Sequence, residues 1–133
     1  MNHVVLYSLE PGEKGLRDAH GACVGNCYFG VPALGQAQLK LESSRAVLGD
    51  LATWITAPEP TAVAACFNPR HGVHLVANGH AYDFVVCFEC GGAEVFKDGA
   101  ERPFAWLYRG GSPKAWNALL QGAHVPLAEP PSP

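Results

Sequence analysis

Residues that could bind a metal or react as thiols are concentrated in one stretch, CFNPRHGVHLVANGHAYDFVVCFECGG at positions 66–92. It contains three of the chain's five cysteines and three of its six histidines. Thiolates and imidazoles are the usual ligands of zinc, and a thiolate is also a nucleophile and a redox group. The stretch therefore indicates a metal site, a reactive thiol or a well-packed hairpin.

The first hypothesis is a zinc-like metal site. In CFECGG, two glycines follow the second cysteine, and glycine lets backbone N–H groups turn toward a cysteine sulfur, as they do in metal-binding knuckles. The predicted ligands are Cys66, His71, Cys87 and Cys90. A second set would use Cys23 and Cys27 to give four thiolates. The metal hypothesis requires irregular backbone at Asn68-Pro69 and at Phe88-Glu89.

The second hypothesis is a thiol-based redox sensor or enzyme. Cys87 or Cys66 would be the nucleophile, and a second cysteine would resolve the oxidised form. Arg70 would lower the pKa of the reactive thiol because a nearby positive charge favours the thiolate. These three residues are the candidate catalytic residues.

The dipeptide Asn78-Gly79 provides a register for this region, because both central residues of a type I′ hairpin turn need a positive φ. The register pairs Ala77 with His80, Leu75 with Tyr82, His74 with Asp83 and, if pairing continues, Arg70 with Cys87. In a straight strand the Cα atoms of Cys87 and Cys90 would lie roughly 10 Å apart, too far for a disulfide. A Cys87–Cys90 bond therefore requires a local bend. A dyad of Cys87 with His74 is excluded because about 13 Å would separate them along the hairpin.

The first half of the chain supplies the elements that hold this stretch. Alternation and β-branched residues predict strands at Val4–Leu9 and Gln36–Leu41, with a glycine-rich loop over residues 12–35 between them. A helix follows, capped by Ser43 or Ser44 and ended at residues 57–60. Its apolar stripe consists of Val47, Leu48, Leu51, Trp54 and Ile55.

The second half predicts more strands and a second helix. Besides the two hairpin strands, we expect strands at 63–67, Glu94–Lys97 and Phe104–Tyr108. Ser112-Pro113 is a typical helix start and Gly122 a typical stop. Together these elements predict an α+β fold, an antiparallel β-sheet with a central hairpin and two helices packed on it. We expect a single globular domain over residues 1–128 and a proline-rich tail over 129–133.

Composition excludes several classes of function. The chain has 133 residues, 48% of them hydrophobic, and a formal charge of −3 with scattered Lys and Arg, so we expect no nucleic-acid binding. No apolar run approaches the roughly 20 residues of a membrane helix, so we expect no membrane binding and a cytoplasmic location. There the cysteines would be reduced, and their odd number also makes a disulfide framework a secondary explanation.

A third hypothesis assigns the cysteines to the core. The function would then lie in a small-molecule pocket or a homo-oligomer surface, and Tyr28, Trp106 and Tyr108 are candidate pocket residues. Free cysteines are often simply buried.

CFNPRHG and YDFVVCFEC resemble a pattern of short bacterial proteins of unknown function that share C-F-x-P-R-H-G, then D-F or D-L, then C-F-x-C. Fainter similarity extends to GVPALG at 30–35 and LLQGAHVPLAE at 119–129. The resemblance implies that one motif comprises Cys66, Pro69, Arg70, His71, Asp83, Cys87 and Cys90. It implies no particular reaction, and it favours Cys66, His71, Cys87 and Cys90 over the loop cysteines as a ligand set.

Overall fold

The computed structural model describes residues 3–12, 16–57, 67–108 and 110–128. Within these ranges the strands are β1 (Val4–Leu9), β2 (Cys27–Tyr28), β3 (Val31–Gln38), β4 (Ile55–Ala57), β5 (His71–Ala77), β6 (His80–Cys87), β7 (Gly92–Lys97) and β8 (Ala105–Tyr108). The helices are α1 (Leu41–Thr53) and α2 (Lys114–Gly122). The predicted α+β class with an antiparallel sheet and two helices is confirmed. No helix of the described residues is both long enough and apolar enough to span a membrane.

The strands form one sheet in the order β2-β3-β1-β5-β6-β7-β8-β4. Every neighbouring pair is antiparallel. Asn78 and Gly79 turn between β5 and β6 with φ of 53° and 79°, as a type I′ turn requires. The three inner residue pairs have the predicted register, but the β5–β6 ladder ends at His71 opposite Val86. Arg70 and Cys87 are therefore not a ladder pair.

The main hydrophobic core lies between the sheet and both helices. The helices contribute Val47 and Leu51 from α1 and Trp116 and Leu120 from α2. The strands contribute Leu6, Val73 and Val86. Because side chains alternate along a strand, Val85 points to the other face of β6, into a second and smaller core. The sheet is thus covered on both faces.

The second core is made largely by the segment that follows β1. Tyr28 packs there with Leu9, Val85 and Phe96. The Tyr28 ring lies over Gly72 of β5, where a Cβ atom would come within 2.4 Å of the ring. The absence of a side chain at Gly72 therefore lets the Tyr28 ring pack directly on the backbone of β5.

Several predicted boundaries are wrong. β3 begins at Val31, inside the predicted loop, because Val31 and Pro32 pair with Tyr28 and Cys27. α1 begins at Leu41 with Lys40 at its N-cap and no side-chain capping bond. Ser44 lies inside the first turn instead, where it is buried. α1 ends at Thr53 rather than at residues 57–60, since the backbone becomes extended at Trp54.

Ile55, predicted to lie in the apolar stripe of the helix, belongs instead to the edge strand β4 and is 59% exposed. The predicted strand at 63–67 and the tail at 129–133 lie outside the described residues, apart from Phe67, which is not in a strand. At α2 the N-cap is Pro113, one residue later than expected. The Ser112 hydroxyl still accepts a hydrogen bond from the Lys114 N–H at 3.2 Å.

Candidate functional site

The turn between β6 and β7 carries a disulfide. β6 ends at Cys87, and the chain turns through residues 88–91 before β7 begins at Gly92. Gly91 has a φ of 69°, and its N–H donates to the Phe88 carbonyl at 3.1 Å. The turn brings the Cα atoms of Cys87 and Cys90 to 5.2 Å, and their sulfurs are bonded. The local bend that a Cys87–Cys90 bond requires is therefore present, and the positive φ of Gly91 is part of it.

The two sulfurs have different surroundings. Cys87 is fully buried, whereas Cys90 is partly exposed. The backbone N–H of Cys90 donates to the Cys87 sulfur at 3.1 Å, which is the knuckle geometry expected from the glycines. Such a donor stabilises a thiolate more than a thiol. When the bond is reduced, Cys87 therefore has a partner for a negative charge, and Cys90 is the more exposed residue of the pair.

Arg70 lies beside this turn and forms an ion pair with it. Its Nη1 is 2.6 Å from Oε1 of Glu89, one of the two residues between the cysteines. The side chains are 22% and 34% exposed. The sequence predicts that Arg70 lies beside the Cys87 thiol and lowers its pKa. In the structure the Arg70 guanidinium pairs with the carboxylate of Glu89 in the turn.

His71 begins β5 and is 5% exposed. Its ring makes edge contacts with Phe88 and Trp116, and its Nε2 donates to Oδ1 of Asn117 at 2.6 Å. Burial lowers the pKa of His71, and the Arg70 charge lowers it further while the Asn117 bond opposes the shift. The ring is thus neutral at pH 7. Within the described residues, its Nδ1 is buried and has no hydrogen-bond partner.

The predicted metal ligands are not assembled in the part of the chain described. Cys66 lies outside it, Cys87 and Cys90 are bonded to each other, and His71 binds Asn117. Among the described residues no group of three or more His, Cys, Asp or Glu side chains could hold a metal ion. A disulfide sulfur has no thiolate to offer a metal. The alternative ligands Cys23 and Cys27 also form a disulfide with each other.

Two adjoining cavities of about 260 Å³ each lie around Arg70 and His71. Arg70, His71 and Pro113 line both. The first cavity also touches Ser8, Asn117, Leu127 and Ala128. The second touches Asn68, Phe88, Glu89 and Gly111. No sequence motif contains Ser8 or Asn117, and Glu89 occupies the variable position of C-F-x-C, so none of the three is predicted as a site residue.

Ser8, His71 and Asn117 include the residue types of a nucleophile, a base and an orienting group. Ser8 lies opposite His71 across β1 and β5. However, the Ser8 hydroxyl donates to the Pro126 carbonyl at 2.6 Å, and among the described residues Nδ1 of His71 bonds to nothing. The hydroxyl is therefore used to hold the segment after α2, and the three residues form no hydrogen-bonded triad.

The pair of His74 and Asp83 lies on the opposite face of the sheet. Its Nδ1 and Oδ1 atoms are 2.7 Å apart, and the Tyr28 hydroxyl donates to the same carboxylate oxygen at 2.7 Å and to the Val73 carbonyl. Burial, followed by the charge of Asp83, raises the pKa of Tyr28 far above its usual value. Tyr28 thus remains a protonated donor that fastens the loop to the sheet.

The other predicted pocket aromatics are packed in the same way. Trp106 is buried, stacks against Tyr108 and contacts Phe67 edge-on. Tyr28 is buried in the second core. These three aromatics therefore serve the sheet packing.

A comparison of the chain with models of protein families finds no match, and comparisons with curated proteins and with solved structures find none either. The resemblance carried by CFNPRHG and YDFVVCFEC consequently stays a prediction. The function has to be inferred from the site itself.

Proposed function

We propose that the chain is a thiol–disulfide redox module whose reversible couple is Cys87–Cys90. The observation that supports it is the asymmetry of this bond. Cys87 is buried and its sulfur accepts a hydrogen bond from a backbone N–H, whereas Cys90 is a partly exposed residue of the turn. Such a pair can accept an attacking thiolate at one sulfur while the other leaves as a stabilised thiolate.

The proposed exchange has two steps. A thiolate of a partner dithiol attacks the Cys90 sulfur, the Cys87–Cys90 bond breaks, and Cys87 leaves as a thiolate held by the Cys90 N–H. The second thiolate of the partner then attacks the partner's first sulfur, which is bonded to Cys90 in the mixed disulfide. This step releases Cys90. The partner dithiol is oxidised to a disulfide, two electrons and two protons pass to the pair, and Cys87 and Cys90 become thiols.

The roles differ from those in the sequence hypothesis, where Cys87 or Cys66 is the nucleophile. Burial makes Cys87 the cysteine that leaves as a thiolate, and Cys90 is the cysteine that the partner attacks. Cys66 lies outside the described residues and has no part in the two steps. Arg70 acts on the turn through its ion pair with Glu89.

Zinc binding is the other function that the sequence predicts for these cysteines. We do not propose it, since the described residues contain no cluster of ligands to support it. The predicted cytoplasmic location also stays a prediction, because two disulfides in one chain are more typical of oxidising surroundings.

Mixed-disulfide trapping with glutathione disulfide tests the order of attack. In the variant Cys87→Ser, we expect Cys90 to form a mixed disulfide with glutathione rapidly. In Cys90→Ser, the remaining Cys87 should react much more slowly because it is buried. The products are assigned by peptide mass spectrometry, which separates them from Cys66.

The variant Cys23→Ser is the matched control, since it leaves Cys27, an exposed residue of β2, as a single thiol that should react rapidly. Circular dichroism would confirm that all three variants are folded. If Cys87 in Cys90→Ser reacted as fast as Cys90 in Cys87→Ser, the proposed order of attack would be wrong.

A further inference from the structure

The cavities beside the disulfide form a compartment with two kinds of wall. Phe88, Pro113 and Leu127 provide apolar surface, and Arg70, His71 and Asn117 provide polar groups. Ligand sites in proteins typically combine mostly apolar walls with a few placed polar groups. The proposed redox exchange does not use this compartment.

Arg70 determines the charge that the compartment can accept. Among the described lining residues it is the cation of both cavities, because the other basic residue, His71, is neutral. A guanidinium has five N–H donors in a planar fork that suits a carboxylate. Here the carboxylate that it holds, on Glu89, is part of the wall of the second cavity. A carboxylate already sits at the place where a ligand carboxylate would bind.

His71 is the second independent feature of the compartment. It lines both cavities, is only 5% exposed, and within the described residues keeps Nδ1 without a hydrogen-bond partner. A buried polar atom without a partner costs free energy, so such atoms are retained mainly where they serve a purpose. The described walls thus carry one cation, Arg70, and one anion, Glu89. A ligand with a single carboxylate that takes the place of Glu89 balances the Arg70 charge in the same way.

We propose that the two cavities form a binding site for a small organic monocarboxylate with an aryl or branched alkyl group. Its carboxylate competes with Glu89 for the Arg70 guanidinium, and its apolar group lies against Phe88 and Pro113. Charge-assisted pairing with Arg70 provides selectivity for the acid over its uncharged amide. The site goes beyond the redox exchange and does not depend on it.

Binding of phenylacetate and isovalerate to the oxidised full chain tests this site. Phenylacetamide and isovaleramide, which lack the charge, are the matched probes. Titrations followed by NMR should show the acids shifting the ring signals of His71 and Phe88. We expect each acid to bind about tenfold more tightly than its amide. Failure of both acids to bind at millimolar concentration, or equal binding of acids and amides, would overturn the proposal.

Substitutions locate the charge effect. Arg70→Gln should weaken phenylacetate binding about tenfold, whereas Glu89→Gln should tighten it because the competing carboxylate is removed. Arg102→Gln changes an exposed arginine away from the cavities and should have no effect. If Arg70→Gln does not fold, Glu89→Gln decides alone, since unchanged or weaker binding in that variant contradicts competition with Glu89.

The binding and redox experiments can fail separately. A chain that binds the acids but never exchanges its Cys87–Cys90 bond keeps this site and loses the redox function. A chain that exchanges the bond but binds neither acid has the opposite outcome.

Discussion

His71 joins the disulfide turn to the cavities, because its ring contacts Phe88 of the turn and Asn117 of α2. Sequence spacing identifies this residue, but as a metal ligand. Its actual partners come from positions 88, 116 and 117, and only the folded chain brings them together. The C-x-x-C pair is likewise visible in the sequence, whereas its bond is not, since that depends on the turn at Gly91.

The neutral state of His71 predicts how stability changes with pH. Burial lowers its folded pKa below the ordinary value of 6.5, so the unfolded chain binds more protons when the pH falls below about 6.5. The contribution of His71 is therefore fully present above pH 6.5 and is lost as the pH falls toward the lower folded pKa. Thermal melting should show a decrease in Tm between about pH 7.5 and 5.5 that is smaller in His71→Gln.

His80→Gln is the matched control for this effect, because His80 is 46% exposed and pairs with Asp98 at the surface. In this variant the decrease in Tm between about pH 7.5 and 5.5 should not become smaller. If Tm decreased with falling pH as much in His71→Gln as in the unmodified chain, His71 would not be the group responsible.

At the scale of elements, the sequence predicts those strands and turns that depend on residues close together in the chain. The strand Val4–Leu9 and the Asn78-Gly79 hairpin follow from β-branched residues and positive φ, and both are confirmed. The sequence pattern places part of Val31–Gln38 in a loop, because this strand is stabilised by pairing with the distant β1 and with β2. The edge strand Ile55–Ala57 has a helical pattern for a similar reason, since its partner is β8.

The contact between the loop and β5 gives a prediction for Gly72. In Gly72→Ala, the added Cβ atom would come within 2.4 Å of the Tyr28 ring, so the ring must move and weaken its bond to Asp83. We expect a loss of about 1–3 kcal/mol in the free energy of unfolding, the usual cost of overpacking. Urea denaturation measures it.

Gly49→Ala is the matched control, because Gly49 lies in α1 and no described atom outside its own helix backbone lies within 4 Å of where the added Cβ would be. Alanine should stabilise the helix there by roughly 0.5–1 kcal/mol. A neutral effect of Gly72→Ala would contradict the close packing of Tyr28 on β5.

For the whole molecule, the two disulfides change the picture that composition suggests. Five cysteines in a chain expected to be cytoplasmic favour reduced thiols or a metal. Instead Cys23–Cys27 closes part of the surface loop and Cys87–Cys90 closes a turn next to the cavities. Counting cysteines cannot give this pairing, because bonds between residues three or four positions apart depend on local turns that composition does not contain.

An equilibrium redox titration tests the central claim most directly. The full chain is incubated in buffers of defined potential, quenched by alkylation and analysed by mass spectrometry of the peptides. We predict that Cys87 and Cys90 take up two electrons together within the range of cellular thiol couples, roughly −180 to −270 mV. A pair that remained bonded at potentials below about −300 mV, as structural disulfides do, would contradict a reversible redox function for this chain.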